Sequence, residues 1–238
     1  MGNQMVFQRY EIKYLMDRRQ RDAVLRAMEP YMSMDEYGHS SIRNIYYDTP
    51  NFRLIRESLE KPVYKEKLRV RGYGPAAAGD PVFVELKKKY RDVVYKRRIS
   101  LPQAQAEACL SGKMHLPDSQ IGREIAYVLD FYRELAPAVF LSYEREAFFE
   151  RDGGDFRVTF DENIRYRRTE LTLDSDAWGT PLLKPDQVLM ELKASGALPL
   201  WMVRVLSQQK IYKTSFSKYG TAYQDIFLTE RKGVRQYA

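Results

Sequence analysis

Val63-Tyr64-Lys65-Glu66-Lys67-Leu68-Arg69-Val70-Arg71-Gly72-Tyr73 and, a short connection later, Val82-Phe83-Val84-Glu85-Leu86-Lys87-Lys88-Lys89-Tyr90 decide the fold. In a strand, residues two apart share a face. The first segment then places Lys65, Lys67, Arg69 and Arg71 on one side and Tyr64, Leu68 and Val70 on the other, with Glu66 interrupting the apolar side. The second sets Glu85, Lys87 and Lys89 against Val84 and Leu86. The connection Gly72-Tyr73-Gly74-Pro75-Ala76-Ala77-Ala78-Gly79-Asp80-Pro81 is rich in turn formers and reads as a hairpin, not a domain boundary.

The same pattern continues outward. Strands are predicted near Phe7–Tyr14, Ile42–Thr49, Val93–Ser100, Val139–Phe149, Phe156–Asn163 and Val188–Ala194. Helices are predicted over Arg18–Met32 behind an Asp17 cap, from Pro102 to Gly112, from Asp118 or Ser119 through Tyr132, from Pro199 to Leu206 and from Phe216 to Phe227. The expected fold is therefore α+β, an antiparallel barrel of about eight strands with peripheral helices, in a single domain over residues 1–238.

Composition narrows the function. The 238 residues carry 39 Lys and Arg against 32 Asp and Glu, a net charge of +7, which predicts an anionic partner. One cysteine excludes a disulfide framework or a cysteine-rich metal site, and two histidines make a histidine-rich zinc site a poor fit. No segment approaches the roughly 20 apolar residues that span a bilayer. Met1 to Arg9 hold no apolar run resembling a signal peptide, so the cytoplasm is the expected compartment.

The charged faces recur on other strands: Arg9, Glu11 and Lys13; Lys96 and Arg98; Arg145; Arg157, Thr159 and Asp161; Glu191 and Lys193. One reading is a half-buried sheet with a solvated outer face. A solvent face usually mixes signs, because like charges directly opposite destabilise a ladder. Lys65, Lys67, Arg69 and Arg71 have no acid within their own face. The functional reading is a cationic lumen that holds a chain of phosphates. On that reading, removing Arg69 or Arg71 leaves the ligand-free fold intact or firmer. Glu11, Glu85 and Glu191 are open to two readings, a cross-strand ion pair or a hard divalent cation shared with phosphate oxygens. No Walker loop, dinucleotide fingerprint or kinase motif set is present, so side chains would hold the phosphate. Cys109, His39, His115, Trp178, Trp201 and the Tyr46-Tyr47 pair read first as packing or surface residues.

Arg9-Tyr10-Glu11-Ile12-Lys13-Tyr14, Ile45-Tyr46-Tyr47-Asp48-Thr49, Lys67-Leu68-Arg69-Val70-Arg71-Gly72-Tyr73 and Phe83-Val84-Glu85-Leu86-Lys87 stand in a familiar order with Val94-Tyr95-Lys96-Arg97-Arg98, Tyr143-Glu144-Arg145, Arg157-Val158-Thr159-Phe160-Asp161, Met190-Glu191-Leu192-Lys193 and Ser215-Phe216-Ser217-Lys218-Tyr219. Together they resemble the VTC domain, the polyphosphate polymerase domain of the triphosphate tunnel metalloenzyme (CYTH-like) superfamily. The resemblance implies an antiparallel barrel around a basic tunnel. It implies that Lys13, Arg69, Arg71, Lys87, Arg98 and Arg145 bind phosphate, that Glu191 binds metal, and that Ser217 and Lys218 close the phosphate site. Lys67, Lys96, Arg157, Lys193, Arg165 and Lys213 are further phosphate-binding candidates, and Glu85 a second metal ligand. Arg9 stands where related triphosphatases and cyclases carry the first Glu of Glu-x-Glu-x-Lys, which favours the VTC branch. The fungal SPX domain and membrane helices have no counterpart, so neither inositol-pyrophosphate sensing nor membrane insertion is expected.

The implied function is transfer of the γ-phosphate of ATP to a growing polyphosphate chain, with Mn²⁺ or Mg²⁺ as cofactor and Arg69, Arg71, Lys87 and Lys218 as the catalytic group. Such transfer needs positioning and charge neutralisation more than a protein nucleophile. Rival readings are a triphosphate hydrolase and a non-catalytic polyphosphate binder. A nucleic-acid binder rests only on the basic balance, and the cations follow strand alternation instead of forming a helix stripe or stacking platform.

Overall fold

The computed structural model describes residues 10–91 and 93–235, so Arg9 and the start of the first predicted strand lie outside the described residues. In chain order the elements are β1 (Tyr10–Asp17), α1 (Arg18–Met28), β2 (Met32–Asp48), α2 (Arg53–Leu59), β3 (Tyr64–Tyr73), β4 (Pro81–Tyr90), β5 (Val93–Pro102), α3 (Gln103–Leu110), α4 (Gln120–Tyr132), β6 (Ala136–Glu150), β7 (Arg157–Arg167), β8 (Thr180–Pro181), β9 (Gln187–Ala194), α5 (Leu200–Gln208), β10 (Lys213–Thr214) and α6 (Lys218–Arg235). The ladder order is β10-β1-β9-β7-β6-β2-β3-β4-β5, with β8 on β7. The paired registers of β1 with β9, β2 with β3, β3 with β4, β4 with β5 and β7 with β9 are antiparallel.

The α+β expectation holds and the eight long strands are those anticipated. The barrel is corrected. Closure requires each strand to have two partners, and among the described residues the ladder ends at β10 and β5. β10 contributes only Lys213 and Thr214.

The described residues divide into two compact units. One contains residues up to Ser40, Tyr143–Ile164 and Leu183–Phe216; the other contains Ser41–Ser142, Arg165–Leu182 and residues from Ser217 onward. In the first, the apolar faces of β1, β7 and β9 pack with α1 and α5 through residues such as Tyr14, Val158, Phe160, Met190, Leu192, Val24 and Met202. Asp17 caps α1 by accepting from Gln20 N at 2.8 Å, while Gln20 Oε1 accepts from Asp17 N. In the second, Leu68, Val70, Val84 and Leu86 are buried against Cys109, Ile125 and Val128 of α3 and α4. Glu66, the interruption on that face, accepts from Tyr64 Oη at 2.8 Å and also faces Tyr132. Lys65, Lys67, Arg69, Arg71, Lys87 and Lys89 therefore occupy the face turned away from the hydrophobic core, while Lys88 lies on the other face and pairs with Glu124 of α4.

Helix α2 was not anticipated. Its seven residues follow Phe52, which lies in the left-handed region, and the carboxylate of Asp48 accepts from the backbone N–H of Leu54 and Ile55 at 2.9 and 3.1 Å. Strand β2 begins ten residues before the predicted Ile42, and α1 ends at Met28, four residues early. The polar run Ser33–Ser40 conceals the strand because half its side chains remain in water.

Arg167 organises the segment after β7. It donates to the carbonyls of Thr169, Glu170, Asp176 and Trp178 at 2.9 to 3.1 Å, and its guanidinium lies 3.5 Å from the Phe140 ring centroid. Replacing it by Leu leaves those carbonyls without a donor. Urea unfolding of Arg167→Leu is expected to show a loss of about 3 kcal/mol.

Candidate phosphate-binding site

Strand register, not sequence proximity, assembles the charges. Across β3, β4 and β5 the partners are Arg69–Glu85–Arg98 on one rung and Lys67–Lys87–Lys96 on the next, with Lys65 opposite Lys89 beyond. Glu85 is 1% exposed. Arg69 Nε donates to its Oε2 at 2.8 Å, and Arg98 Nε to its Oε1 at 2.7 Å. Lys96 Nζ lies 2.9 Å from Oε1 and Arg71 Nε 3.9 Å from Oε2. Burial pushes the Glu85 carboxyl up, yet Arg69, Arg71 and Lys96 together hold it far below the ordinary carboxylate range.

Strand β2 supplies the supports. Asn44 accepts from Arg71 Nε at 3.0 Å while donating to Leu141 O, which fixes the direction of the guanidinium. Tyr46 stands opposite Arg69 and accepts from its Nη1 at 3.0 Å. Its ring stacks on Tyr219 at 4.4 Å, and Tyr219 donates to Asp48 at 2.8 Å. Burial raises the Tyr46 phenol, but Arg69, Lys67 and Arg71 bring it down to about 8. Tyr47 points the other way, into the core. The packing reading of the Tyr46-Tyr47 pair thus holds for both rings, and Tyr46 in addition carries the hydrogen bond to Arg69. Lys67 Nζ donates to Ser217 Oγ at 3.2 Å, and that oxygen accepts from Gly220 N at 3.1 Å at the start of α6. Lys218, next in the chain, is 9% exposed. Burial pulls Lys65 below the ordinary lysine value, and Lys89, Lys61 and Lys87 pull it further.

A second charged face lies in the other unit. Lys13 is opposite Glu191, and Thr159 is opposite the same glutamate on its other side; Lys193 is flanked by Glu11 and Arg157. Lys13 Nζ lies 3.3 Å from Glu191 and 3.4 Å from Glu11, and donates to Phe216 O at 3.0 Å. Arg145 grips Asp161 with two hydrogen bonds, 2.6 and 2.7 Å, and lies 3.7 Å from Glu191. Burial lowers the Lys193 ammonium below its ordinary value, and Glu191 offsets part of that.

Arg165 instead donates to Gly179 O at 3.0 Å, beside β8. Lys213 is exposed and pairs with Tyr14, which puts it on the face opposite Lys13. Cys109 is buried and donates to His115 O, as a core thiol.

Among the described residues no three His, Cys, Asp or Glu side chains converge as a self-sufficient metal group. Glu191, with Asp161 and Glu11 on nearby positions of the same face, still presents the hard oxygens that Mn²⁺ or Mg²⁺ accept, with one or two carboxylates from protein and the remainder from phosphate and water. Glu85 is already saturated by cations on both oxygens.

Registered cations around buried carboxylates line one strand face in each unit. The VTC domain profile matches residues 8–227, and the chain belongs to the VTC domain family. In fold it is similar to a putative adenylate cyclase from Bacillus halodurans, with 15% identity, 87% of this chain and 92% of that chain covered, and a TM-score of 0.53. It is also similar to a putative adenylyl cyclase from Hippeastrum, with 17% identity, 92% and 96% covered, and a TM-score of 0.54. No curated protein sequence matches it. No helix among the described residues is long and apolar enough to cross a membrane.

The geometry reverses the expectation for Arg69. Because Arg69 and Arg71 neutralise buried Glu85, Arg69→Ala is expected to cost the ligand-free protein about 2 kcal/mol. Lys87→Ala, which removes a lysine set between Lys67 and Lys96, is expected to stay within about 0.5 kcal/mol of wild type or to gain. Thermal denaturation of the two variants without ligand separates these outcomes.

Tyr46 gives a pH signature. A free phenol ionises near 10 and Tyr46 near 8, so folding favours its phenolate. The resulting stability is present above pH 10, declines as pH falls through 8 and is absent below. Ultraviolet titration should show a tyrosinate midpoint near 8 that Tyr46→Phe abolishes.

Proposed function

We propose that this protein is a metal-dependent phosphotransferase that lengthens polyphosphate from ATP. The observation that carries the reading is the double rung on β3–β5: Arg69 and Arg98 held on Glu85, next to three lysines directly opposite one another. A lysine rung of this kind is repulsive on its own and becomes favourable when an oligophosphate lies along it. Membership of the VTC domain family supports phosphate-chain chemistry.

In this reading Arg69, Arg71 and Arg98, aimed by Glu85, Asn44 and Tyr46, bind phosphoryl oxygens in pairs, and Lys67, Lys87 and Lys96 act as point charges along the chain. Lys218 and Ser217 secure the phosphate at the α6 start. Lys13, Arg145, Arg157 and Lys193 provide the same service on the β1–β9–β7 face, where Glu191 would hold the cation. A bound Mn²⁺ or Mg²⁺ supplies charge neutralisation at the phosphoryl oxygens. An oxygen of the terminal phosphate attacks the γ-phosphorus of ATP, the bond to the β-phosphate oxygen breaks, and ADP leaves. No side chain becomes covalently attached, so the scarcity of His and Cys is no obstacle. The cytoplasm is the compartment in which ATP is at hand.

A second reading is hydrolysis of triphosphate, favoured by the fold's likeness to the Hippeastrum protein, described as having a dominant triphosphatase activity. Incubation with ATP and Mn²⁺ or Mg²⁺, followed by electrophoretic sizing of products, decides. Chain growth that falls about 10²-fold or more in Glu191→Gln and in Lys218→Ala supports polymerisation. Phosphate release without chain growth replaces it with hydrolysis, and tripolyphosphate binding without turnover replaces it with a binding module.

A further inference from the structure

Thr159 stands in the middle of the charged face of β7. Its strand position pairs with Glu191, and Arg157 and Asp161 flank it on the same face of β7. The side chain is 7% exposed, and its Oγ1 is buried without a hydrogen-bond partner among the described residues. The groups on this face include a charged cluster: Glu191 is gripped by Lys13 and Arg145, and Asp161 by Arg145. Nearly all buried polar atoms in proteins are satisfied, and a hydroxyl left bare is destabilising. Valine has the same shape and a strand preference at least as strong, without that penalty. A buried threonine at this place therefore has something to donate to that the folded chain does not supply.

We infer that the Thr159 hydroxyl is a phosphate-oxygen donor, a neutral ligand set among charged ones. The inference rests on the phosphate-binding reading of the β1–β9–β7 face but not on polymerisation. A neutral donor suits a position between Glu191 and Asp161, where another cation would be absorbed by the carboxylates. The hydroxyl rotates freely and can present its proton to a phosphoryl oxygen whose neighbours are held by Arg145 and Lys193. Thr159 thus acts as a binding residue that fixes the depth of a phosphate on this face.

The test uses the full chain, tripolyphosphate without ATP or metal, and two variants. In Thr159→Val, calorimetric titration is expected to show the dissociation constant raised about fivefold to tenfold, while thermal denaturation without ligand shows an unchanged or higher midpoint. Thr159→Ser keeps the hydroxyl and is expected to stay within about twofold of wild type in affinity. Equal affinity of Thr159→Val and wild type overturns the inference. So does a ligand-free midpoint that falls in Thr159→Val and not in Thr159→Ser, since the hydroxyl would then serve the fold. Failure of wild type to bind tripolyphosphate overturns it as well. Wild type that binds tripolyphosphate but never lengthens polyphosphate refutes the polymerase reading alone and leaves the Thr159 result standing.

Discussion

A carboxylate with 1% exposure, Glu85, lets a sheet face carry more cations than its own electrostatics would tolerate. Burying an anion costs several kcal/mol, and only close, hydrogen-bonded cations repay it. Arg69, Arg98 and Lys96 do so directly, with Arg71 behind them. The arrangement is reciprocal: Glu85 needs its cations to stay ionised, and the guanidiniums need Glu85 to stay pointed in one direction. Arginines held in this way have lost their rotamer freedom in the free protein, so less entropy would remain to be lost were an anion to bind them.

The consequence is a graded face. At the Glu85 end four cations share one carboxylate, which holds their geometry. One rung away, Lys67, Lys87 and Lys96 stand opposite one another, and only Lys96 reaches the carboxylate. Burial, and after it the neighbouring Lys89, Lys61 and Lys87, lower the affinity of Lys65 for its proton. The β1–β9–β7 face is built differently. There Lys13, Arg145, Glu191 and Asp161 alternate in sign, so the field is weaker and the oxygens suit a hard cation.

Much of this was legible in the sequence because alternation is a local property. Period-two spacing assigned Lys65, Lys67, Arg69 and Arg71 to one face and Leu68 and Val70 to the core without knowledge of any partner strand. What stayed hidden depends on register between distant segments. Glu85 appeared as a possible metal ligand because nothing local shows that Arg69, sixteen residues earlier, lies directly across from it. Tyr46 and Tyr47 are adjacent and chemically identical, and only the pairing of β2 with β3 shows that Tyr46 serves Arg69 while Tyr47 packs in the core. Helix α2 was missed because its cap comes from Asp48, six residues before Leu54, outside the window in which capping residues are sought. The barrel expectation failed because closure is a property of the first and last strands together, and the strand spacing that suggested it says nothing of whether they meet.

The supports of the arginines also bind the site to the rest of its unit. Tyr46 joins Arg69 to Tyr219 by a hydrogen bond and a ring stack, Tyr219 joins α6 to Asp48, and Asp48 caps α2. Burial and the adjacent Asp48 carboxylate push the Tyr219 phenol far above its ordinary value, so Tyr219 is a fixed donor over the accessible pH range. Tyr46, stacked on it, is the opposite: a phenol whose proton is loosened by the cations it serves. Two tyrosines 4.4 Å apart are thus tuned in opposite directions by the charge each faces, the carboxylate on one side and the guanidinium on the other. An anion arriving at Arg69 would draw on the charge that lowers Tyr46. Occupancy of the arginine cluster by an anion and protonation of Tyr46 would therefore be linked, the bound anion raising the pH at which the phenol ionises.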